Sequence, residues 1–161
     1  MRKNYKFYSL YSDMVKKRDY NVPASYLVLL KDNKVLLLRR FNTGYEDGNY
    51  SMIAGHVDGG ENFTQCIIRE TEEEAGIVVK SEDLKVVHVM HRHSGIVDEV
   101  ERVDVFFVAE KWSGDVVNKE LHKCDDLSWF DLDGLPKNVI PFVRQAIEAV
   151  RDNVFYSECG W

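Results

Sequence analysis

A dense group of acidic side chains lies between Gly55 and Ile77, in the segment GHVDGGENFTQCIIRETEEEAGI. The segment contains five glutamates and one aspartate, and its first part is rich in glycine. Carboxylate oxygens are hard ligands, and several of them on one surface form a site for Mg²⁺ or Mn²⁺. A run of charges is more often simply the solvated face of a helix. The positions of the acids along the helix decide between these two interpretations.

The pattern of this segment predicts an α-helix from Phe63 to Ala75. Asn62 is a favourable N-cap residue, and Gln65, three positions later, completes a capping-box pattern. Gly76 can adopt the left-handed conformation that ends many helices. The glycine-rich turn before the helix lets the backbone approach a ligand closely. The acids therefore lie on a short helix that follows a turn suited to ligand binding.

The helical periodicity separates a face that should be buried from an acidic face. The side chains expected on the buried face are Thr64, Ile67, Ile68, Thr71 and Ala75. Glu70, Glu73 and Glu74 cluster on another side, at i, i+3 and i+4. Like charges at this spacing destabilise a helix by about 0.3 kcal/mol per pair. Bound divalent cations would offset this repulsion, and they would also let an acidic protein bind a polyphosphate.

The segment resembles the signature of the Nudix (MutT-like) hydrolase superfamily, G-x5-E-x7-R-E-U-x-E-E-x-G-U, in which U is a bulky apolar residue. The matching positions are Gly55, Glu61, Arg69, Glu70, Glu73, Glu74, Gly76 and Ile77. Seven fixed positions match by chance in about one window in a hundred million. Thr71 departs from the pattern at the first U position. Its methyl group can pack in the core, and its hydroxyl can bond to the preceding turn.

The resemblance implies a fold and a reaction. The implied fold is α/β (α+β), an α/β/α sandwich with a mixed β-sheet and a catalytic loop–helix–loop, in one domain over residues 1–161. The implied reaction is the Mg²⁺-dependent hydrolysis of a nucleoside diphosphate linked to another moiety, and Mn²⁺ can substitute. A nucleoside triphosphate, including oxidised or non-standard ones, is the substrate we expect. The alternatives are a nucleoside diphosphate sugar or ADP-ribose as substrate, or a non-catalytic nucleotide sensor.

The resemblance also implies roles for individual residues. The implied metal ligands within and next to the signature are Ala54, through its carbonyl oxygen, and the side chains of Glu70, Glu73 and Glu74. Arg69 should orient the acids by salt bridges. Glu61 should tether the loop to the helix or assist the catalytic base.

A further acid outside the helix is expected in the active site, because many members of this superfamily add a metal ligand or base from a loop. Glu120 lies in the loop-like segment NKELHKCDD before a predicted strand, which makes it our candidate. Asp125 and Asp126 are the competing candidates. The alternative for Glu120 is an ordinary surface position.

Several residues are candidates for substrate contacts. Gly55 and His56 belong to the loop of the signature. The loop NTGYEDG precedes the strand that leads into the signature, and its candidates are Asn42, Tyr45 and Asp47. Loops beside a rigid scaffold commonly bind ligands. His91 and His93 alternate on a predicted strand and could contact phosphate or base, although strand histidines are more often structural.

The elements that must position these residues are strands and one more helix. ASYLVLLKDNKVLLLRR predicts two strands joined by a tight turn at Asp32-Asn33. The other predicted strands lie in SMIAG, DLKVVHVMHRH, ERVDVFFVAEKW and LSWFDL. NVIPFVRQAIEAVRDN predicts a C-terminal helix. Strands with two helices predict a mixed sheet covered by helices.

The composition restricts the partners. A net charge of −6 argues against broad attraction to nucleic acid or to a membrane surface, so the expected partner is a small nucleotide. The three cysteines form no CxxC pair, which favours a cytoplasmic protein without a disulfide framework. Residues 1–20 are basic and aromatic and lack the apolar run of a signal peptide. They could form an extra strand, an arm or a homodimer contact.

Overall fold

The computed structural model describes residues 20–93 and 100–161. The predicted N-terminal arm lies outside this part of the chain except for Tyr20, and so does most of the predicted loop 94–100. The strands within the described residues are β1 (Asn21–Leu27), β2 (Leu30–Lys31), β3 (Lys34–Arg40), β4 (Tyr50–Ser51), β5 (Ile53–His56), β6 (Leu84–His93), β7 (Glu101–Ala109), β8 (Cys124–Asp131) and β9 (Tyr156–Cys159). The α-helices within the same residues are α1 (Phe63–Ala75) and α2 (Pro141–Arg151).

The strands form two sheets. The first is mixed and has the strand order β5-β1-β7-β6-β9. In this sheet β1 is parallel to β7 and antiparallel to β5, while β6 is antiparallel to β7 and parallel to β9. The second sheet is antiparallel, with β2, β4 and β8 all pairing with β3. The prediction of an α+β protein with a mixed sheet and two helices is therefore confirmed.

The two helices cover opposite faces of the β1 segment. Tyr26 belongs to a core cluster that includes the α2 residue Phe142. Its neighbour Leu27 belongs to a second cluster that includes the α1 residue Ile67. Successive side chains of a strand point to opposite faces. The order helix, sheet, helix follows from this alternation.

The first predicted hairpin forms around Asp32 and Asn33. Both residues have positive φ angles, 51° and 60°, as a type I′ turn requires. The strand before the turn is divided, which the sequence did not predict. β1 lies in the mixed sheet, whereas β2 lies in the antiparallel one, because the backbone N–H of Val28 bonds to β7 and the carbonyl of Leu29 bonds to β3.

Two further elements differ from the predictions. The predicted strand SMIAG is divided at Met52 into β4 and β5, which belong to different sheets. The tail after residue 154 carried no prediction, and it forms β9, which pairs with β6. No helix in the described part of the chain is long and apolar enough to cross a membrane.

Candidate active site

The helix α1 is fixed at both ends and along its buried face. Asn62 Oδ1 accepts a hydrogen bond from Gln65 N at 2.9 Å, and Gln65 Oε1 accepts one from Asn62 N at 3.0 Å, so the predicted capping box is confirmed. Gly76 ends the helix with φ 67°. The Thr71 hydroxyl donates to the carbonyl of Ile67 at 2.5 Å, which satisfies a buried polar group at the position that departs from the signature. The buried side chains of the helix are Cys66, Ile67, Thr71 and Ala75.

A cavity of about 410 Å³ lies beside this helix. Its lining includes the predicted site residues Ala54, Gly55, His56, Arg69, Glu70, Glu73, Glu74 and Glu120. The structure thus brings the predicted metal ligands of the helix together with Glu120, which lies about 50 residues further along the chain. The periodicity of the helix alone does not predict this contact. We name this cavity the acid cavity.

Arg69 connects the helix acids to the loop before the helix. Its guanidinium lies 2.7 Å from Glu61 Oε1, 2.6 Å from Glu70 Oε1 and 3.2 Å from Glu73 Oε2. Glu61 also accepts a hydrogen bond from Asp58 N at 2.8 Å. The hydrogen bond from Arg69 and that from Asp58 N lower the pKa of Glu61 to about 2. Glu61 is therefore charged over the physiological range and holds the loop against the helix.

Glu74 is the most strongly perturbed acid of the cavity. Its Oε2 accepts a hydrogen bond from Ala54 N at 3.0 Å. Burial, together with the negative charges of Glu70 and Glu120, raises its pKa from the ordinary 4.5 to about 8. Burial also raises the pKa of Glu70, against the opposing effect of Arg69. Burial therefore disfavours the charged form of both carboxylates, and a bound cation would favour that form.

The donor set fits a hard divalent cation. In the described residues, no three His, Cys, Asp or Glu side chains are yet close enough together to hold a metal ion. Glu70 is paired with Arg69, and Glu120 Oε1 is paired with Lys123 Nζ at 2.7 Å. Gly55 provides space for the cluster, since a Cβ atom there would lie 1.8 Å from Glu70 Oε1. Carboxylates and a backbone carbonyl are the ligands that Mg²⁺ and Mn²⁺ prefer.

The structure separates the three candidates for the acid outside the helix. Glu120 lines the acid cavity. The Asp125 carboxylate instead receives two hydrogen bonds from Arg39, at 2.7 and 3.1 Å. Asp126 accepts hydrogen bonds from Tyr50 and Ser128. This arrangement favours Glu120, whose catalytic role stays a prediction.

The loop predicted to contact substrate contributes residues to two cavities. Thr43 lines the acid cavity, and Tyr45 and Glu46 line a second cavity that adjoins it. Asn42 and Asp47 are exposed and are absent from the described linings of both cavities. The Asp47 carboxylate accepts hydrogen bonds from Thr43 and Gly44, which lower its pKa and hold the loop in shape. A substrate contact by Asn42 or Asp47 therefore gains no support.

Other residues of the site were missed, and two candidates are placed elsewhere. The rings of His91 and His93 lie 4.8 and 5.5 Å from the ring of Trp161, away from both cavities. The residues that line the second cavity without having been predicted include Tyr26, Arg40, Arg92, Arg102 and Phe142. No local pattern marks them, because they come from separate strands and a helix that meet only in the folded chain.

The profile of the NUDIX domain matches residues 20–150. The chain belongs to the Nudix family. Gly55 to Ile77 is its Nudix signature, and α1 is the Nudix helix. The resemblance seen in the sequence is thereby confirmed.

Relatives of this Nudix chain include proteins with named activities. It is 31% identical over 137 residues to the NAD-capped RNA hydrolase NudC of Chromobacterium violaceum, covering 81% of this chain and 48% of that protein. The chain thus spans about half the length of that relative. It is 29% identical over 141 residues to the ADP-ribose pyrophosphatase of Methanocaldococcus jannaschii, covering 77% of this chain and 75% of that protein.

A solved structure shares the Nudix fold of this chain. The crystal structure of a MutT NUDIX hydrolase from Burkholderia pseudomallei aligns with a TM-score of 0.73 and 26% sequence identity. The alignment covers 81% of this chain and 98% of that one.

Proposed function

We propose that this Nudix chain is a divalent-metal-dependent pyrophosphohydrolase that cleaves a nucleoside diphosphate linked to another moiety. The observation that carries this proposal is the acid cavity, in which the Nudix-helix acids meet Glu120 and the backbone of Ala54. A nucleotide sensor would not need this full set of acids. The intact set therefore favours an enzyme over a sensor.

The chain's own residues divide the work of the reaction. Bound Mg²⁺ would neutralise the diphosphate and make an attacking water more acidic. Glu70, Glu73, Glu74 and the Ala54 carbonyl would hold the cation. Glu120, on a loop, would add a ligand or accept the proton of the water. Arg69 and Glu61 position the helix and its loop through their salt bridge.

The substrate we favour is a nucleoside diphosphate whose second part is larger than a phosphate group. Both named relatives act on such compounds, since ADP-ribose and NAD each contain a diphosphate between two organic groups. The second cavity offers room of about 500 Å³ for that part. The sequence led us to expect a nucleoside triphosphate as substrate, and its cleavage should be tested together with that of these compounds.

The expectation that nucleic acid is not a partner has to be restricted to extended nucleic acids. The name of the Chromobacterium violaceum relative includes an RNA, so a capped RNA end belongs among the test substrates. The net charge of −6 still argues against binding along an extended nucleic acid. The homodimer and the cytoplasmic location stay predictions.

The test is a panel of nucleotides with Mg²⁺, scored by the release of a nucleoside monophosphate. The panel contains ATP, ADP-ribose, NADH, UDP-glucose and an NAD-capped RNA oligonucleotide. We expect turnover of at least one substrate and complete loss with excess chelator. Full turnover in chelator would refute the metal-dependent mechanism. Binding without turnover across the panel would establish the sensor instead.

A further inference from the structure

The second cavity, of about 500 Å³, opens beside the acids. The residues that line both cavities are Leu38, Arg40, Ala54, Gly55, His56 and Glu74. A substrate whose diphosphate lies at the acids therefore reaches directly into this second space. We name it the arginine cavity, because Arg40, Arg92 and Arg102 line it.

Arg92 is a buried cation in the wall of the arginine cavity. Its side chain is 8% exposed, and its Nε donates to Asp104 Oδ2 at 2.7 Å. Its guanidinium carbon lies 4.0 Å from the centre of the Phe142 ring on α2. The contacts with the Asp104 carboxylate and with the Phe142 ring together hold the guanidinium in one orientation.

The two Nη atoms of Arg92 carry N–H groups that no acceptor of the described residues uses. Within the described chain, neither Nη atom donates a hydrogen bond to a protein acceptor. The Arg92 side chain keeps its small exposure while it lines the cavity, so acceptors supplied by a ligand can pair with these charged donors. Asp104, which is fully buried, pairs with Nε, and the two Nη atoms, unpaired among the described residues, belong to a side chain that lines the cavity.

Other residues that carry hydrogen-bond donors also line the cavity. Tyr26 lines the cavity, and its hydroxyl makes no hydrogen bond to a described residue. Its ring is held by stacking on Phe106 at 4.8 Å. Arg102 reaches the cavity wall, where its Nη1 lies 2.8 Å from His56 Nε2. Two acids also line the cavity, and each already accepts a hydrogen bond, Glu46 from Asn49 Nδ2 at 2.6 Å and Glu74 from Ala54 N at 3.0 Å.

Guanidinium groups only donate hydrogen bonds, so the group that fits here must present acceptors and negative charge. We propose that the arginine cavity binds an anionic group, a phosphate ester or a carboxylate, carried by the substrate beyond the scissile diphosphate, and that Arg92 determines this specificity. The inference rests on the proposed function and narrows its substrate class. A cationic group in the same place is disfavoured by like charge.

The test uses two substrate pairs that differ by one anionic group. NADPH carries a phosphate ester that NADH lacks, and UDP-glucuronate carries a carboxylate in place of the hydroxymethyl group of UDP-glucose. We expect the wild-type chain to prefer the anionic member of at least one pair by about tenfold in kcat/KM, the scale of one charge-assisted hydrogen bond. A preference in the first pair alone identifies the phosphate ester, and one in the second pair alone identifies the carboxylate.

Variants then assign the preference to the cavity. Arg92→Lys keeps the charge but loses the planar fork, and it should reduce the preference at least threefold. Arg151→Lys is the matched control, because Arg151 is exposed at the end of α2 and pairs with Asp152. If thermal denaturation shows that Arg92→Lys is unfolded, the double variant Arg92→Gln/Asp104→Asn takes its place, since it removes the charge of Arg92 without leaving the buried Asp104 carboxylate unpaired.

Two results would overturn the inference. One is an equal kcat/KM of the wild-type chain for the two members of each pair. The other is an unchanged preference in the folded cavity variant. If no probe is hydrolysed, the proposed function fails, but calorimetric affinities for the same pairs in Ca²⁺ still decide the inference. Equal affinities within both pairs would then refute it.

Discussion

Replacing Glu74 by glutamine should stabilise the metal-free chain and strongly reduce hydrolysis. The pKa of Glu74 rises from 4.5 to about 8 in the folded chain, first because of burial and then because of neighbouring acids. An acid with a raised folded pKa contributes full stability below its unfolded pKa and loses that contribution as the pH rises through its folded pKa. At about 1.4 kcal/mol per pKa unit, the whole loss is about 5 kcal/mol, of which about 3 kcal/mol is lost by pH 7.

Glutamine removes the charge and keeps the contact, because its side-chain oxygen can still accept the hydrogen bond from Ala54 N. The stability of Glu74→Gln should therefore exceed that of the wild type by less than about 1 kcal/mol at pH 5 and by about 4 kcal/mol at pH 8. Urea unfolding in chelator measures both values. Glu72→Gln is the control, since Glu72 is exposed on the same helix and lies outside the acid cavity.

The same variant should lose activity in Mg²⁺. Removal of a charged ligand at the reacting phosphate should lower kcat by at least ~10²-fold. A stability gap that stays constant between pH 5 and pH 8 would refute the assignment of the raised pKa to Glu74. A kcat near that of the wild type would refute its role in the reaction.

Two other predictions concern the acid cavity. Glu120→Gln should lower kcat by ~10²-fold or more with little change in melting temperature, whereas Asp125→Asn should be much milder, as steady-state kinetics of both will show. Full activity of the first variant with an inactive second one would mean that the acid outside the helix is misassigned. Gly55→Ala should lower kcat by ~10-fold or more because its Cβ would displace the Glu70 carboxylate, while Gly59→Ala, whose Cβ meets nothing within 4 Å, should leave kcat unchanged. Equal kcat values in the two glycine variants would show that the space at Gly55 is not needed.

The parts of the site that could be predicted are those set by local chemistry. The helix Phe63–Ala75 and its capping box follow from side chains within four residues of each other. The acidic face follows from the helical period. The turn at Asp32-Asn33 follows from the tolerance of these residues for positive φ.

The parts that could not be predicted depend on partners far along the chain. Arg92 lies between two histidines in the sequence, and only the pairing of β6 with β7 places Asp104 beside it. The division of the first predicted strand depends on which neighbour each half pairs with. Asp47 looked like a ligand-binding acid, but its carboxylate is used by its own loop. A single sequence shows polar residue types and does not show which of them already have partners.

The position of β1 has a consequence for the order in which activity arises as the chain folds. β1 aligns Tyr26 with Ala54 on one side and with Phe106, far along the chain, on the other. Closing such a long loop is entropically unfavourable until the distant strand has docked. The Nudix helix can form early from its own caps, whereas Ala54 is aligned only when β5 pairs with β1. A partly folded chain therefore displays the acids without the site, and hydrolytic activity should arise together with the pairings of β1 rather than with the helix.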